Sequence, residues 1–230
     1  MSSPHDLSAA PRRRGRPGGL AGPALLAAAR EVFLRDGYAA TTMDAVAKAA
    51  RISKQTLYRQ HASKEELFAA VVADWVDRGR DALRAPLDAL RETDDPRTAL
   101  TDLADVLHAG VLSPAVVGMR GLVIAEAGRQ PALAADYLRR SWDRNEALLA
   151  DALEQLSARG LLDIEAPLVA ARQFTWLVLG SPLDRITLTA GIARLTPEQL
   201  SEIAREAVET FLARFSPPSG APSGSPGDAA

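Results

Sequence analysis

The chain of 230 residues contains no cysteine, and its only histidines are His5, His61 and His108. Without cysteine there is no disulfide, no thiol nucleophile and no thiolate ligand for a metal. The three histidines lie far apart and lack metal-ligand spacing, and no glycine-rich phosphate-binding motif occurs. We therefore expect no enzymatic activity, no cofactor and no metal, and keep a helical enzyme only as an alternative.

Long hydrophobic runs are also missing from the sequence. The first ten residues lack the apolar stretch of a signal peptide, and no later segment approaches the length of a membrane span. Segments in which apolar and polar residues alternate are rare, which argues against a β-sheet. The chain is therefore predicted to be all-α and cytoplasmic, with no membrane partner.

The total formal charge of −2 hides a strong asymmetry. Residues 11–64 contain eleven basic and three acidic side chains, a net charge of +8, whereas residues 65–230 carry −9. A basic amino-terminal quarter joined to an acidic remainder is the pattern of a nucleic-acid-binding head on a body with another role. Double-stranded DNA is the partner that this pattern favours.

Two short helices joined by a tight turn are predicted within the basic quarter. The first covers residues 42–50 and the second covers residues 54–61, with Ser53 as the N-cap of the second. Leu57 is the inward anchor of the second helix, so most of its polar side chains must face outward. This arrangement is a helix-turn-helix, whose second helix lies in the major groove of DNA.

A basic, proline- and glycine-rich segment, residues 11–19, precedes this motif. Such a composition does not pack into a helix or strand. Two interpretations stay open, a disordered basic tail or an arm whose Arg14 and Arg16 enter an A·T-rich minor groove. The candidate DNA contacts are therefore Arg14, Arg16, Thr42, Lys54, Gln55, Thr56, Tyr58, Arg59 and Lys64.

Residues 25–68 resemble the DNA-binding head of the TetR family of transcriptional regulators. The matching residues are Ala29, Phe33, Gly37, Tyr38, Thr41, Thr42, Ala47, Ala50, Ser53, Thr56, Leu57, Tyr58, Ser63, Lys64, Leu67 and Phe68. Two positions depart from the family pattern. Arg51 stands in the turn where the family usually has glycine, and His61 stands where it usually has an aromatic residue.

The remaining sequence predicts further helices. A first helix covers residues 23–36 and stops at Gly37, and a fourth runs from Ser63 until Pro86 ends or kinks it. The later helices are predicted at residues 96–111, 114–128, 131–159, 167–180 and 197–215. We divide the chain into a disordered arm (1–20), the head (21–67), a helical effector-binding and dimerisation domain (68–215) and a disordered tail (216–230).

Residues 121–127, 131–134 and 176–185 also resemble the carboxy-terminal domain of AefR-like members of the same family. The resemblance implies a homodimer whose last two helices pair with those of a partner, and a small-molecule pocket inside the helical domain. The interface candidates are Trp176, Leu179, Leu200, Ile203, Ala207, Val208, Phe211 and Phe215. The pocket candidates are Met119, Tyr137, Trp142, Phe174 and Trp176, each of which could instead be an ordinary core residue.

These observations predict a ligand-responsive regulator, most simply a repressor. It would bind a palindromic operator as a homodimer and be released by a small-molecule effector. The alternatives that the sequence leaves open are a sequence-tolerant architectural DNA-binding protein, a ligand-binding scaffold that has lost DNA control, and the helical enzyme.

Overall fold

The computed structural model describes residues 20–189 and 191–218, and these residues form helices and connecting turns. The predicted all-α class is confirmed. Arg14, Arg16 and most of the predicted arm and tail lie outside the described residues. Contacts divide the chain into two compact units, Met1–Phe68 and Ala69–Ala230.

The first unit contains α1 (Pro23–Ala40), α2 (Met43–Ala49), α3 (Lys54–Gln60) and the beginning of α4 (Lys64–Gly79). Its fully buried residues come from all four helices: Leu25, Ala29, Phe33, Val46, Leu57, Leu67 and Phe68. The rings of Phe33 and Tyr38 each lie 5.0 Å from that of Phe68. Apolar residues at helical spacing thus meet in one small core, as the sequence predicts.

Gly37 interrupts α1 with φ of 77° and ψ of 163°. This backbone conformation lies in the positive-φ region that favours glycine over residues with a Cβ atom. The regular helix therefore stops where the sequence predicts, and the residues up to Ala40 form a separate turn beyond the break. The hydroxyl of Thr41 donates to the Gly37 carbonyl at 2.7 Å and ties this turn to the helix end.

The second unit contains the rest of α4, then α5 (Arg84–Glu92), α6 (Pro96–Val111), α7 (Pro114–Glu126) and α8 (Pro131–Leu138). A π-helical turn (Arg139–Asp143) joins α8 to α9 (Arg144–Ala158), and α10 (Pro167–Leu188) and α11 (Pro197–Phe215) complete it. The main core lies among α6, α9, α10 and α11. Phe211 lies at its centre, with its ring 5.3 Å from Phe174 and 4.7 Å from Phe215.

Two helix predictions need correction, one in its limit and one in its regularity. The helix that was expected to reach Pro86 ends at Gly79, and Pro86 instead occupies the first turn of α5. A proline is tolerated there because the amide groups of a first helical turn have no partner within the helix. The long helix predicted over residues 131–159 contains the π turn, which the apolar pattern does not reveal.

The third correction concerns α10, which was predicted to end at Gly180 but continues through Pro182 to Leu188. Proline at 182 has no amide hydrogen to donate to the carbonyl of Val178, four residues earlier. That carbonyl instead accepts a hydrogen bond from Nε2 of the buried His108 on α6, at 2.9 Å. The side chain of a distant helix thus satisfies the group that proline leaves unpaired.

Among the described residues, no helix has the length and apolar character needed to cross a membrane by itself. Only α6 and α7 taken together, with a bend of 64° between them, meet those criteria of length and composition.

Candidate functional sites

The helix-turn-helix is held by local caps that the sequence specifies. The hydroxyl of Thr42 accepts from the amide of Ala45 at 3.1 Å, and that of Ser53 accepts from the amide of Thr56 at 3.0 Å. Leu57 is fully buried beneath α3. One face of α3 is therefore fixed on the core, and the opposite face is presented to solvent.

The turn between α2 and α3 is a Schellman motif. The amide of Arg51 donates to the carbonyl of Lys48 at 3.2 Å, and the amide of Ile52 donates to that of Ala47 at 3.0 Å. Such a motif requires a left-handed residue after the helix end, usually glycine. Here it is Arg51, at φ of 58°, so this turn carries backbone strain that glycine would relieve.

The exposed face of α3 carries four of the predicted DNA contacts, Lys54, Gln55, Tyr58 and Arg59. Tyr58 is notable because 43% of the surface of this large side chain is exposed, so it is accessible to a partner. Thr56 is only half exposed, and its hydroxyl shares a hydrogen bond of 2.8 Å with that of Ser53. Its reach toward a base edge is thereby reduced.

One carboxylate lies within this basic face. Asp44 in the first turn of α2 forms an ion pair with Lys54, with 2.9 Å between Nζ and Oδ1. The hydrogen bond to Asp44, followed by its charge, raises the pKa of Lys54. Lys54 is thus held against α2 in the free protein, and its ammonium lies 5.9 Å from the ring centre of Tyr58.

Lys64 was predicted to contact DNA, but the structure gives it another role. Its ammonium donates to the carbonyls of Tyr38, Ala39 and Thr41 at 3.0, 3.2 and 3.1 Å. These contacts use all three of its donors, and its Nζ also lies 4.5 Å from the centre of the Tyr38 ring. Lys64 therefore closes the carbonyl end of α1, and we remove it from the candidate DNA contacts.

The chain enters the head beside the helix-turn-helix. The amide of Leu20 donates to the carbonyl of Ala50, the last residue before the strained turn, at 3.0 Å. Leu20 is thus held beside the α2–α3 turn. His61 caps the end of α3 and is half buried.

A cavity of about 420 Å³ lies within the second unit. Residues from the end of α4 through α10 line it, and most of its wall is apolar. Two of the five predicted pocket residues, Tyr137 and Trp142, belong to the wall. The other three do not: Met119 and Phe174 are fully buried in the core, and Trp176 lies on the outer side of α10 with 49% exposure.

Trp142 belongs to the π turn and is held from two neighbouring helices. Its ring stacks on that of Trp176 at 5.6 Å with an interplanar angle of 10°, and the guanidinium of Arg120 lies 5.3 Å from its centre. Burial is the main cause that raises the pKa of the neighbouring Tyr137. The contacts with Trp176 and Arg120 thus fix the position of Trp142 in the cavity wall.

Charged groups also occur in the cavity wall, among them Arg80 and Arg140 of the π turn. Both donate hydrogen bonds to Asp77, which lies behind the wall, each at 2.7 Å. Burial tends to raise the pKa of Asp77, but the two guanidiniums outweigh it and the pKa is lowered overall. Glu146, a buried carboxylate that lines the same cavity, accepts from Nε of Arg172 at 2.9 Å.

Sequence reasoning missed Trp75 and Glu146, both of which line the cavity. A signal for Glu146 exists, because it lies three and seven residues before Leu149 and Leu153 on the apolar side of α9. A charged residue on such a side is usually paired or functional. Among the described residues, no group of three or more histidine, aspartate or glutamate side chains is placed to hold a metal ion.

The predicted dimer residues are distributed differently from expectation. Five of the eight, Leu179, Ala207, Val208, Phe211 and Phe215, are buried within this single chain, although Ala207 also lines a shallow surface groove. Trp176 is half exposed, and Leu200 and Ile203 are partly exposed. The apolar stripe of α11 thus serves its own core, and the outer side of α10 carries exposed apolar residues that include Val169, Leu177 and Leu188.

Comparisons with known proteins support both sequence resemblances. Residues 25–71 match the model for "Bacterial regulatory proteins, tetR family" and residues 98–217 match that for "AefR-like transcriptional repressor, C-terminal domain". A curated relative, the transcriptional activator FasR of Mycolicibacterium smegmatis, is 45% identical over 76 residues, 33% of each chain. The first curated relatives are matched over only 33% to 54% of their own length.

Solved structures match over more of the chain. A TetR-family regulator from Mesorhizobium loti is 30% identical, with a TM-score of 0.80, over 84% of this chain and 96% of that one. The structure named Flavonoid-responsive Regulator FrrA is also 30% identical, with a TM-score of 0.65, over 85% of this chain and 97% of that one. The matched proteins are described as transcriptional regulators.

Proposed function

This chain is a member of the TetR family of transcriptional regulators, and from that we propose that it is a homodimeric repressor that binds a palindromic operator and releases it when a small molecule binds. The observation that carries the proposal is the exposed face of α3, where Lys54, Gln55, Tyr58 and Arg59 surround a fully buried Leu57. A short helix that is anchored in this way can lie in the major groove.

We assign different roles to the side chains of this face. Gln55 is the base reader, because a glutamine amide can form two hydrogen bonds with adenine. Lys54, Tyr58 and Arg59 contact phosphates, and Lys54 must leave Asp44 to do so. Arg14 and Arg16 remain proposed minor-groove contacts, and Thr42 a phosphate contact beside the N-terminus of α2.

The domain limits proposed from the sequence place the head at residues 21–67 and the effector and dimerisation domain at 68–215. The arm (1–20) and the tail (216–230) flank them. The division of contacts between Phe68 and Ala69 supports this arrangement.

The homodimer is proposed to form through the outer faces of α10 and α11. Leu177 of α10 and Ile203 of α11 line one shallow groove between these helices, and Leu188 lies exposed at the end of α10. A short recognition helix makes few base contacts, whereas two heads about 34 Å apart read two half-sites. The pairing of these faces therefore replaces the buried stripe of α11 as the proposed interface.

The cavity in the second unit is the proposed effector site. Its volume of about 420 Å³ lies in the range of small-molecule sites, and the similarity to a regulator named as flavonoid-responsive supports a small-molecule response. The effector needs to favour the state that does not bind DNA. A hundredfold loss of operator affinity requires a difference of about 2.7 kcal/mol between the two states.

The test is selection of bound duplexes from a random pool, repeated with a library of small compounds. We expect an inverted repeat whose enrichment one compound abolishes. Gln55→Ala should relax the preference at one position of each half-site, at about 1–3 kcal/mol per base contact, whereas the exposed control Gln155→Ala on α9 should not. Uniform recovery of all duplexes would instead support the architectural alternative.

A further inference from the structure

We propose that the cavity binds an uncharged, largely apolar molecule that carries a hydroxyl group, and that Glu146 accepts the hydrogen bond of this hydroxyl. The inference rests on the proposed function in one respect, that this cavity is the effector site. The chemical class of the ligand follows from the polar groups of the wall and from their charge balance.

Glu146 is a cavity-lining carboxylate with only 8% of its surface exposed. Its Oε2 accepts from Nε of Arg172 at 2.9 Å, whereas its Oε1 has no hydrogen-bond partner among residues 20–189 and 191–218. This oxygen keeps some solvent contact, unlike the fully buried unpaired atoms such as Oε2 of Glu126, so a ligand can reach it and donate a hydrogen bond to a charged group. When the carboxylate is ionised, Oε1 can accept a hydrogen bond but cannot donate one.

A second polar group comes from α10. Thr175, one helical turn after Arg172, is 7% exposed and lines the same cavity. Its hydroxyl forms no hydrogen bond within the described part of the chain, so it is available both to donate and to accept. Glu146 and Thr175 thus form one polar corner in a wall that is otherwise apolar on α6, α9 and α10, through residues such as Leu103, Leu107, Leu149 and Leu179.

The charges near the cavity oppose an ionic ligand. Four guanidinium groups line it, those of Arg78, Arg80, Arg140 and Arg144. Three of them are already paired with carboxylates: Arg78 with Asp74, Arg80 with Asp77, and Arg140 with Asp77 and Asp136.

Arg144 donates to the carbonyl of Arg80 at 2.8 Å. Glu146 is paired with Arg172, whose guanidinium is 52% exposed and therefore screened by water, whereas the carboxylate itself is buried. An organic anion would meet the carboxylate of Glu146 in an apolar site, and an organic cation would meet the guanidiniums. A neutral hydrogen-bond donor avoids both penalties.

Two kinds of molecule share this chemistry, a phenol on an aromatic body and an alcohol on an alkyl chain. Both fit a mostly apolar cavity of about 420 Å³. The experiment therefore uses two matched pairs of probes. The first pair is 5,7-dihydroxyflavone and its dimethyl ether, which lacks the donors, and the second is 1-decanol and decanoate, which differ in charge.

Tryptophan fluorescence of the purified full-length protein, checked by calorimetry, measures binding. The chain has three tryptophans. Trp75 and Trp142 line the cavity, and Trp176 stacks on Trp142. In at least one pair, we expect the hydroxyl compound to bind about ten- to a hundredfold more tightly than the compound without the hydroxyl group. This ratio is typical of a hydrogen bond to a charged group.

Tighter binding of decanoate than of decanol, equal binding within both pairs, or no saturable binding of either donor would overturn the proposal. Glu146→Gln should remove most of the preference for the donor. Binding of the dimethyl ether should stay unchanged, and binding of decanoate should tighten because the repelling carboxylate is gone. Thr175→Val should remove a smaller part of the preference for the hydroxyl compound. Glu154→Gln, at an exposed position of the same helix, is the matched control and should leave the preference intact.

The comparison between probes uses the unmodified protein, so it remains decisive even if Glu146→Gln does not fold. It also needs no DNA. Failure of operator binding or of operator release would refute the proposed function and leave the ligand chemistry standing, whereas a loss of the donor preference would refute the ligand chemistry alone.

Discussion

Replacing Lys64 with methionine separates a structural role from a DNA-contact role. Methionine keeps the length and apolar stem of the side chain but removes the ammonium that donates to the carbonyls of Tyr38, Ala39 and Thr41. Hydrogen bonds from a charged donor are worth about 1.5–3 kcal/mol, and water can replace part of them at this half-buried position. We therefore expect the head to lose about 2 kcal/mol of stability.

The stability of the head must be measured by amide hydrogen exchange of α1–α3. Tryptophan fluorescence does not report on the head, because Trp75, Trp142 and Trp176 all belong to the second unit. The protection of the most slowly exchanging amides in the head should fall by about thirtyfold, which corresponds to 2 kcal/mol.

The salt dependence of operator binding supplies the second measurement. When a phosphate contact is lost, the logarithm of the operator-binding constant depends less steeply on the logarithm of the salt concentration. The magnitude of this slope falls by about 0.9 per contact, or by about 1.8 in a dimer with two heads. Arg59→Met, at an exposed position of α3, should lower the slope by this amount with little change in exchange. Lys64→Met should weaken the head and leave the slope unchanged. A lowered slope with normal exchange in Lys64→Met would refute this reasoning.

Three further predictions concern the turn, the interface and acid stability. Arg51→Gly should raise the protection of head amides against exchange by about 0.5–1 kcal/mol, because glycine adopts the left-handed backbone without strain. The greater entropy of glycine in the unfolded chain offsets part of this gain. Arg51→Ala keeps a Cβ atom and should not raise the protection. Leu177→Glu should give folded monomers on size-exclusion chromatography. Phe211→Glu should instead unfold the second unit, which a shift of the tryptophan emission to that of solvent-exposed tryptophan would show. Because folding lowers the pKa of Asp77, its ionised carboxylate stabilises the folded state above pH 3.8, and this contribution is lost as the pH falls through the folded pKa. The free energy of unfolding should therefore decrease in acid, and Asp77→Asn should reduce this decrease.

The sequence predicts most accurately those features that depend on neighbouring residues. The cap of α3 by Ser53 is an example, because an N-cap side chain bonds to an amide two or three residues ahead. The turn at Arg51 is a second local feature. The family usually has glycine there, and the structure shows the left-handed backbone that this position after a helix end requires.

Features that need a partner far along the chain could not be predicted in this way. The extension of α10 through Pro182 depends on His108, whose side chain supplies the missing donor from a helix 70 residues earlier. An apolar stripe on α11 is equally compatible with the core of its own chain and with a partner, so periodicity could not show that Phe211 is buried internally.

The same limit applies to the cavity. Met119, Phe174 and Trp176 were predicted as large side chains that could line the pocket, but helix packing determines which side chains reach an internal space. Only Tyr137 and Trp142 of the five predicted residues do so. The charged position on the apolar side of α9 was the more informative signal, because Glu146 is both buried and part of the wall.

The central claim is that the exposed face of α3 reads the edges of base pairs in a duplex. The most direct measurement is a competition titration at 150 mM salt between a selected inverted repeat and a scrambled duplex of the same length and composition. The account predicts that the inverted repeat binds at least about a thousandfold more tightly, as specific regulators do. Equal affinity for the two duplexes would contradict it.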